Sequence, residues 1–306
     1  MPPPLLPGVR IHHVPSSQNG NKNHRSLLAT RPFPAGTPIA TFSSPILALP
    51  DGATMRTTCN WCLRMSSSPS SSQSQPNSQD PVKLRACTAC RAAVYCSPAC
   101  QRAHWKAVHK AECKMFARVR EGAGKDWLPT PVRAVAQVLL LMKGGEKGVL
   151  EAFGEEQGQG QGGEDGWEGL EGNVEGFQKM EEVWKDFELQ ATAAVVYAGL
   201  LEGEEVLERA RRVLCRIQTN AFNRHDADTG MAGLFLDAGL AMVNHSCVPN
   251  AFIGFEGRTA TLRAERDIKE GEEITISYIG EFGDQPRIGS VLLIFLRQHS
   301  AQSGPS

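Results

Sequence analysis

An α+β fold is what this sequence predicts, and three observations predict it. Short apolar pieces broken by Pro and Gly fill residues 25–58 and return over 219–282. A cysteine-dense module follows the first of these stretches. Segments with helical periodicity fill most of the space up to the second. The two strand-rich ends are expected to meet in one mostly-β domain, split in sequence, with the rest inserted between them.

Residues 1–24 are rich in Pro, Ser and Asn and read as a loose arm. From Ser26 to Leu49 the pieces SLLA, IATF and PILAL are separated by RPFPAGTP, which suits short strands joined by turns and not a helix. Residues 59–113 form the cysteine module, and within it SSSPSSSQSQPNSQ (66–79) is a polar tract with nothing to bury. Residues 114–218 read as a helical insert. In PVRAVAQVLLLMK (131–143) the residues Val132, Val135, Ala136, Leu139, Leu140 and Met142 fall mostly on one side, with Pro131 near the first turn. Residues 154–172 are rich in Gly, Glu and Gln and read as a flexible acidic loop. Residues 176–218 read as two or three helices, the last with an apolar face of Val206, Leu207, Ala210, Val213, Leu214 and Ile217. AFIGF–EGR–TATLRA then reads as a hairpin, EEITISYI as a strand, and 283–306 as a divergent tail.

Composition removes several classes. The 306 residues suffice for roughly two domains of ~150 residues. Lys plus Arg number 32 and Asp plus Glu 33, so no global field draws the chain to nucleic acid or to an acidic membrane. The longest apolar runs, such as Val291–Leu296, fall short of the ~20 residues of a membrane helix. MPPPLLPGVR has no apolar signal core, so a secreted protein is not expected and the nucleus, the cytoplasm or both are.

Seven of nine cysteines lie between Cys59 and Cys113. In a chain with no sign of export, such clustering points to metal and not to disulfides. The donors pair as Cys59/Cys62, Cys87/Cys90, Cys96/Cys100 and His109/Cys113. Each spacing lets a knuckle or one helical turn aim both donors at one ion, and eight donors make two closed tetrahedral sites suited to structural Zn²⁺. Ser97-Pro98 is a helix start, with Ser as cap and Pro in the first turn. If that helix continues, Cys100 and His109 are separated by ~13.5 Å of rise and cannot share an ion. His109 and Cys113 share a face. Between Arg91 and Arg120 the module carries Arg102, Lys106, Lys110, Lys114 and Arg118 against Glu112 alone. That basic face suits contact with phosphates, a solvated surface, or a dock for an acidic or Pro-rich peptide.

The run CNWC…CTAC…VYCSPACQRAHWKAVHKAEC resembles a MYND-type zinc finger. The resemblance implies that Cys59, Cys62, Cys96 and Cys100 hold one ion and that Cys87, Cys90, His109 and Cys113 hold the other. It also implies peptide partners for the finger.

A second constellation follows. NHSCVPN (244–250) offers an amide and an imidazole at a turn stiffened by Pro249, and EGEEITISY (270–278) ends a strand in a phenol. Together with RSLLATRPFPAGTPI and QTNAF (218–222), these runs resemble the SET domain of protein lysine methyltransferases, and the inserted finger resembles its SET and MYND subfamily. The resemblance implies an S-adenosylmethionine cofactor held by Asn220, Asn244 and His245. It implies a protein or peptide lysine as substrate, and a Tyr278 hydroxyl that orients the amine and the sulfonium methyl. The amine must be neutral to attack, so activity is expected to rise toward alkaline pH. The zincs are expected to be scaffold.

The sequence departs from the family pattern twice. NKNHRSLLA carries Ser26 where the family has Gly in its cofactor loop, with Asn23 and Arg25 beside it. After Tyr278 the written chain has no further cysteine, so the cysteine trio of a post-SET segment, which would join Cys247 on a third zinc, is not found. Cys247 is therefore expected to be a turn residue. An open lysine channel would leave the amine hydrated. The competing expectation is a non-catalytic MYND adaptor whose SET fold no longer turns over.

Overall fold

The computed structural model describes residues 7–14, 24–66, 82–142, 167, 169–200, 203–226 and 230–278. Strands β1 (Val9–Val14) and β2 (His24–Ala29) form an antiparallel pair. Strand β3 (Pro38–Phe42) leads to β4 (Leu47–Pro50), buried along its whole length. The finger holds the short pair β5 (Arg85–Ala86) and β6 (Val94–Tyr95), then α1 (Pro98–His104). A π-helical turn over Trp105–His109 joins α1 to α2 (Lys110–Ala123). Helices α3 (Thr130–Met142), α4 (Val174–Gln178), α5 (Glu181–Ala198) and α6 (Glu204–Asn220) follow. The chain closes through β7 (Phe222–Asp226), β8 (Gly230–Leu236), β9 (Asn244–His245), β10 (Ala251–Glu256), β11 (Thr259–Ala264) and β12 (Thr275–Ile276).

The strand-rich ends do meet. One sheet runs β10-β11-β3 and another β4-β8-β7, so each joins a strand from before the finger to strands from after the helices. An isolated bridge between Leu28 and Glu273 adds a third seam. The β10–β11 turn is the expected hairpin. Gly257 takes φ 56° in it, the left-handed conformation a tight two-residue loop demands.

Two apolar cores result. One fills the strand region with Phe33, Phe42, Phe235, Val243, Leu262 and Ile276. The other runs from the finger into the helices, where Cys90, Phe116 and Val119 pack with Val135, Leu139, Ala194 and Leu214. Large side chains buried in both make each a continuous source of hydrophobic stabilisation.

The start of α1 follows the sequence signal. Ser97 caps α1, its side chain accepting the Cys100 amide at 3.2 Å, with Pro98 in the first turn. Helix α5 stops at Gly199 with φ 66°.

Two readings change. The strand expected over EEITISYI is only Thr275–Ile276, because its partner β9 is two residues long. The acidic loop read over 154–172 ends in packed structure: Trp167 and Leu170 are buried, and the Arg216 guanidinium lies 5.1 Å from the Trp167 ring. Residues 154–166 and 168 of that stretch lie outside the described residues. The Ser-rich tract from residue 67, residues 15–23 of the arm and the tail from 279 lie outside the described residues.

Candidate functional site

The finger brings the eight expected donors together as two quartets. Cys59, Cys62, Cys96 and Cys100 form one, and Cys87, Cys90, His109 and Cys113 the other, each with its ligand atoms within 4.8 Å of one another. The Cys62–Cys96 sulfurs are 3.5 Å apart and Cys96–Cys100 3.6 Å. In the second quartet Cys87–Cys113 is 4.0 Å, and Cys90 Sγ lies 3.6 Å from His109 Nε2. A tetrahedral ion about 2.3 Å from each sulfur would set the sulfurs about 3.8 Å apart, so both quartets fit Zn²⁺. The separation of Cys100 from His109 into different quartets agrees with the helix-rise argument. The second quartet is the more deeply placed, with all four of its residues buried.

The basic face of the finger lines an open groove of about 510 Å³. Lys106, Lys110, Lys114 and Arg118 line it together with Leu140 and Leu141 of α3.

At the other site β9 sets Asn244 and His245 side by side, and its parallel pairing with β12 holds them beside the approach to Tyr278. The Tyr278 amide donates to His245 Nδ1 at 3.0 Å, and the two rings lie 5.3 Å apart. The Tyr278 hydroxyl donates to the Val243 carbonyl at 2.7 Å. Asn244 Nδ2 donates to the Arg25 carbonyl and to Glu273 Oε1, both at 2.8 Å. Asn244, His245 and Tyr278 are all half-buried, so each keeps a face toward solvent.

Asn220 is hydrogen-bonded elsewhere. It ends α6, and its Nδ2 donates to the carbonyls of Glu171 and Arg216, each at 2.7 Å. The link runs through the neighbouring segment: Arg25 donates to the Gly169 carbonyl, and Arg25 in turn takes the Asn244 bond. Residues Gly169–Glu171 thus bridge Asn220 to Asn244, a part the sequence reading missed. The signal for it was Trp167 and Leu170, two large apolar residues in an otherwise polar tract.

Ser26 is buried in β2 opposite His12, so its side chain is accommodated inside the sheet. Cys247 is exposed, with its sulfur 3.5 Å from His245 Nε2.

The SET domain model matches residues 24–279. The chain belongs to the SET domain family. The match encloses the finger and the helices, so this SET domain is split by them. The chain is 30% identical over 255 residues to the SET domain and MYND-type zinc finger protein 6 of Schizosaccharomyces pombe, covering 83% of this chain and 44% of that protein. It is 26% identical to the histone-lysine N-methyltransferase ASHR1 of Arabidopsis thaliana, covering 85% and 48%. It is 34% identical over 202 residues to the human histone-lysine N-methyltransferase SMYD3, covering 64% and 43%. The chain therefore spans less than half the length of these curated relatives. Among the described residues no helix of this SET domain chain is long and apolar enough to cross a membrane.

Proposed function

We propose that this chain is an S-adenosylmethionine-dependent protein-lysine N-methyltransferase carrying two structural zinc ions. The observation that carries the reading is the contact set of Asn244, His245 and Tyr278, half-buried at one edge of the SET fold. Amide, imidazole, phenol and nearby main-chain carbonyls form a donor and acceptor set suited to an adenosyl amino acid. When bound, S-adenosylmethionine supplies the methyl on a sulfonium.

The protein's own residues then do three things. Asn244, His245 and Asn220 hold the cofactor, with Asn244 fixed by Arg25 and Glu273 and Asn220 by Glu171. Tyr278 orients the reacting groups, its ring braced on His245 and its hydroxyl directed by the Val243 carbonyl. The neutral lysine amine gains its rate from this positioning and from fixed dipoles. Cys59, Cys62, Cys96 and Cys100 hold one zinc, and Cys87, Cys90, His109 and Cys113 the other. The substrate is a lysine of a protein or peptide, and the finger supplies the surface for partner peptides.

The test pairs calorimetry with turnover. S-adenosylmethionine titrated into the full chain should release heat. Methyl transfer to a lysine peptide array should fall about 10²–10³-fold in Tyr278→Phe, with cofactor affinity held within about threefold. Absence of cofactor heat would favour a non-catalytic adaptor, and full turnover in Tyr278→Phe would overturn the role given to the phenol.

A further inference from the structure

Glu112 is the sole acid between Arg91 and Arg120, and the fold buries it completely. A lone carboxylate in that position would be costly. This one has four partners. Oε1 accepts from Arg133 Nε at 2.6 Å and from Gln137 Nε2 at 2.7 Å. Oε2 faces His109 Nδ1 at 2.9 Å and His104 Nε2 at 3.6 Å. Arg133 and Gln137 sit one turn apart on α3 and are themselves buried. Burial opposes the charge on Glu112, but Arg133 and His109 hold its carboxyl well below the usual range.

His109 is the joint. Its Nδ1 faces Glu112 while its Nε2 faces the thiol quartet, 3.6 Å from Cys90 Sγ. An imidazole that offers its Nε2 lone pair to a metal must carry its proton on Nδ1, and a carboxylate is the acceptor that fixes that tautomer and the ring's orientation. We infer that Glu112 is a positioning residue for the second zinc, holding His109 in the Nδ1–H form and tying that ligand to α3 through Arg133 and Gln137. The inference rests on the zinc assignment above. It adds a residue outside both quartets, and it makes the metal site and the helical insert one unit. An amide at position 112 offers one acceptor oxygen to three donors, His109, Arg133 and Gln137, so Glu112→Gln cannot satisfy them all.

The test uses the zinc-loaded full chain and a chromophoric zinc chelator. Wild type should hold two zincs; fewer would fail the ligand assignment and leave Glu112 aside. In Glu112→Gln the chelator should capture one zinc about 10–100-fold more readily and the other as in wild type. Glu112→Asp, which keeps the charge, should fall between the two. Equal behaviour of wild type and Glu112→Gln would overturn the inference. So would equal weakening of both sites, which marks a merely structural role, or an Asp variant no better than Gln. Wild type supplies an arm that needs no variant. A long-range proton–nitrogen correlation spectrum should show His109 protonated at Nδ1 and metal-bound at Nε2, and the opposite tautomer would overturn the inference.

Discussion

Gly233→Ala should unfold the seam between the two halves of the SET domain. Gly233 lies in the middle strand of the β4-β8-β7 sheet, opposite Pro50 on one side and Arg224 on the other. It adopts φ 153°, and a Cβ there would sit 2.0 Å from the Leu49 carbonyl oxygen. Backbone strain of this kind costs about 1–3 kcal/mol. The clash is with main chain, so β4 must move and cannot simply swing a side chain aside. That movement loosens ladder bonds such as the Asp51 amide to the Ala232 carbonyl at 3.1 Å, at about 1 kcal/mol each for two of them. The sum is about 3–5 kcal/mol. At about 2–4 °C per kcal/mol for a domain of this size, the melting temperature should fall by about 6–20 °C. Gly254→Ala is the matched control, because nothing lies within 4 Å of its Cβ and its φ is not positive. That variant should hold or gain stability by about 0.4–1 kcal/mol. Thermal melts by circular dichroism read both. A Gly233→Ala melt within about 3 °C of wild type would refute the steric reasoning.

Burial pushes the Asp237 carboxyl up to about 6 from 3.8, against the amides of Gly239 and Leu240 that it accepts. A folded value above the unfolded one means the contribution is fully present below about pH 4 and lost as pH rises through 6, an effect of about 3 kcal/mol by pH 7. Asp237→Asn should therefore melt like wild type near pH 4 and above it near pH 7; a gap that ignores pH would refute this. Removing zinc with a strong chelator should unfold α1–α3 with the finger, seen as loss of helical dichroism, because Cys87, Cys90 and Cys113 share one core with those helices. Tyr278→Phe loses one bond to a backbone carbonyl, so its melting temperature should drop by no more than about 4 °C, and a larger drop would mean its turnover loss reports folding.

The two candidate metal quartets were legible in the sequence because a closed site constrains both residue identity and spacing over a few positions. Rise along one helix separates Cys100 from His109, but which of the other two pairs joins each was implied only by the resemblance to a MYND-type finger. The hairpin at Gly257 and the cap at Ser97 are local in the same sense. What stayed hidden depends on distant neighbours. Glu112 looked like a stray acid on a basic helix, because its partners Arg133 and Gln137 lie 21 and 25 residues away. The need for Gly233 arises only where β4 lies beside it. Trp167 and Leu170 were averaged away by a window of Gly and Glu. Asn244, His245 and Tyr278 were readable as a motif, but the route joining Asn220 to them through Gly169–Glu171 was not, because no local pattern encodes a bridge between a helix end and a strand edge.

The finger is joined to the rest of the chain beside both of its candidate metal quartets. At the first, the Arg258 guanidinium from the β10–β11 turn lies 4.1 Å over the ring of Trp61, which sits between the candidate ligands Cys59 and Cys62. Gly257 in the same turn comes so close that a Cβ would stand 2.8 Å from the Cys62 carbonyl oxygen. At the second, Glu112 reaches α3, and Arg118 donates to the Tyr197 carbonyl at the end of α5 at 2.8 Å. A module held at one point can swivel more freely than one held at two. The β10–β11 hairpin that braces the first site begins directly after Asn250, whose side chain donates to the Glu273 carbonyl and accepts the Thr275 amide at 2.8 Å each. Glu273 also receives the Asn244 amide, and Thr275 pairs with Asn244 in the short parallel sheet. One hairpin thus contacts the first candidate metal quartet at its turn and borders, through Asn250, the strand pair that carries the candidate cofactor residues.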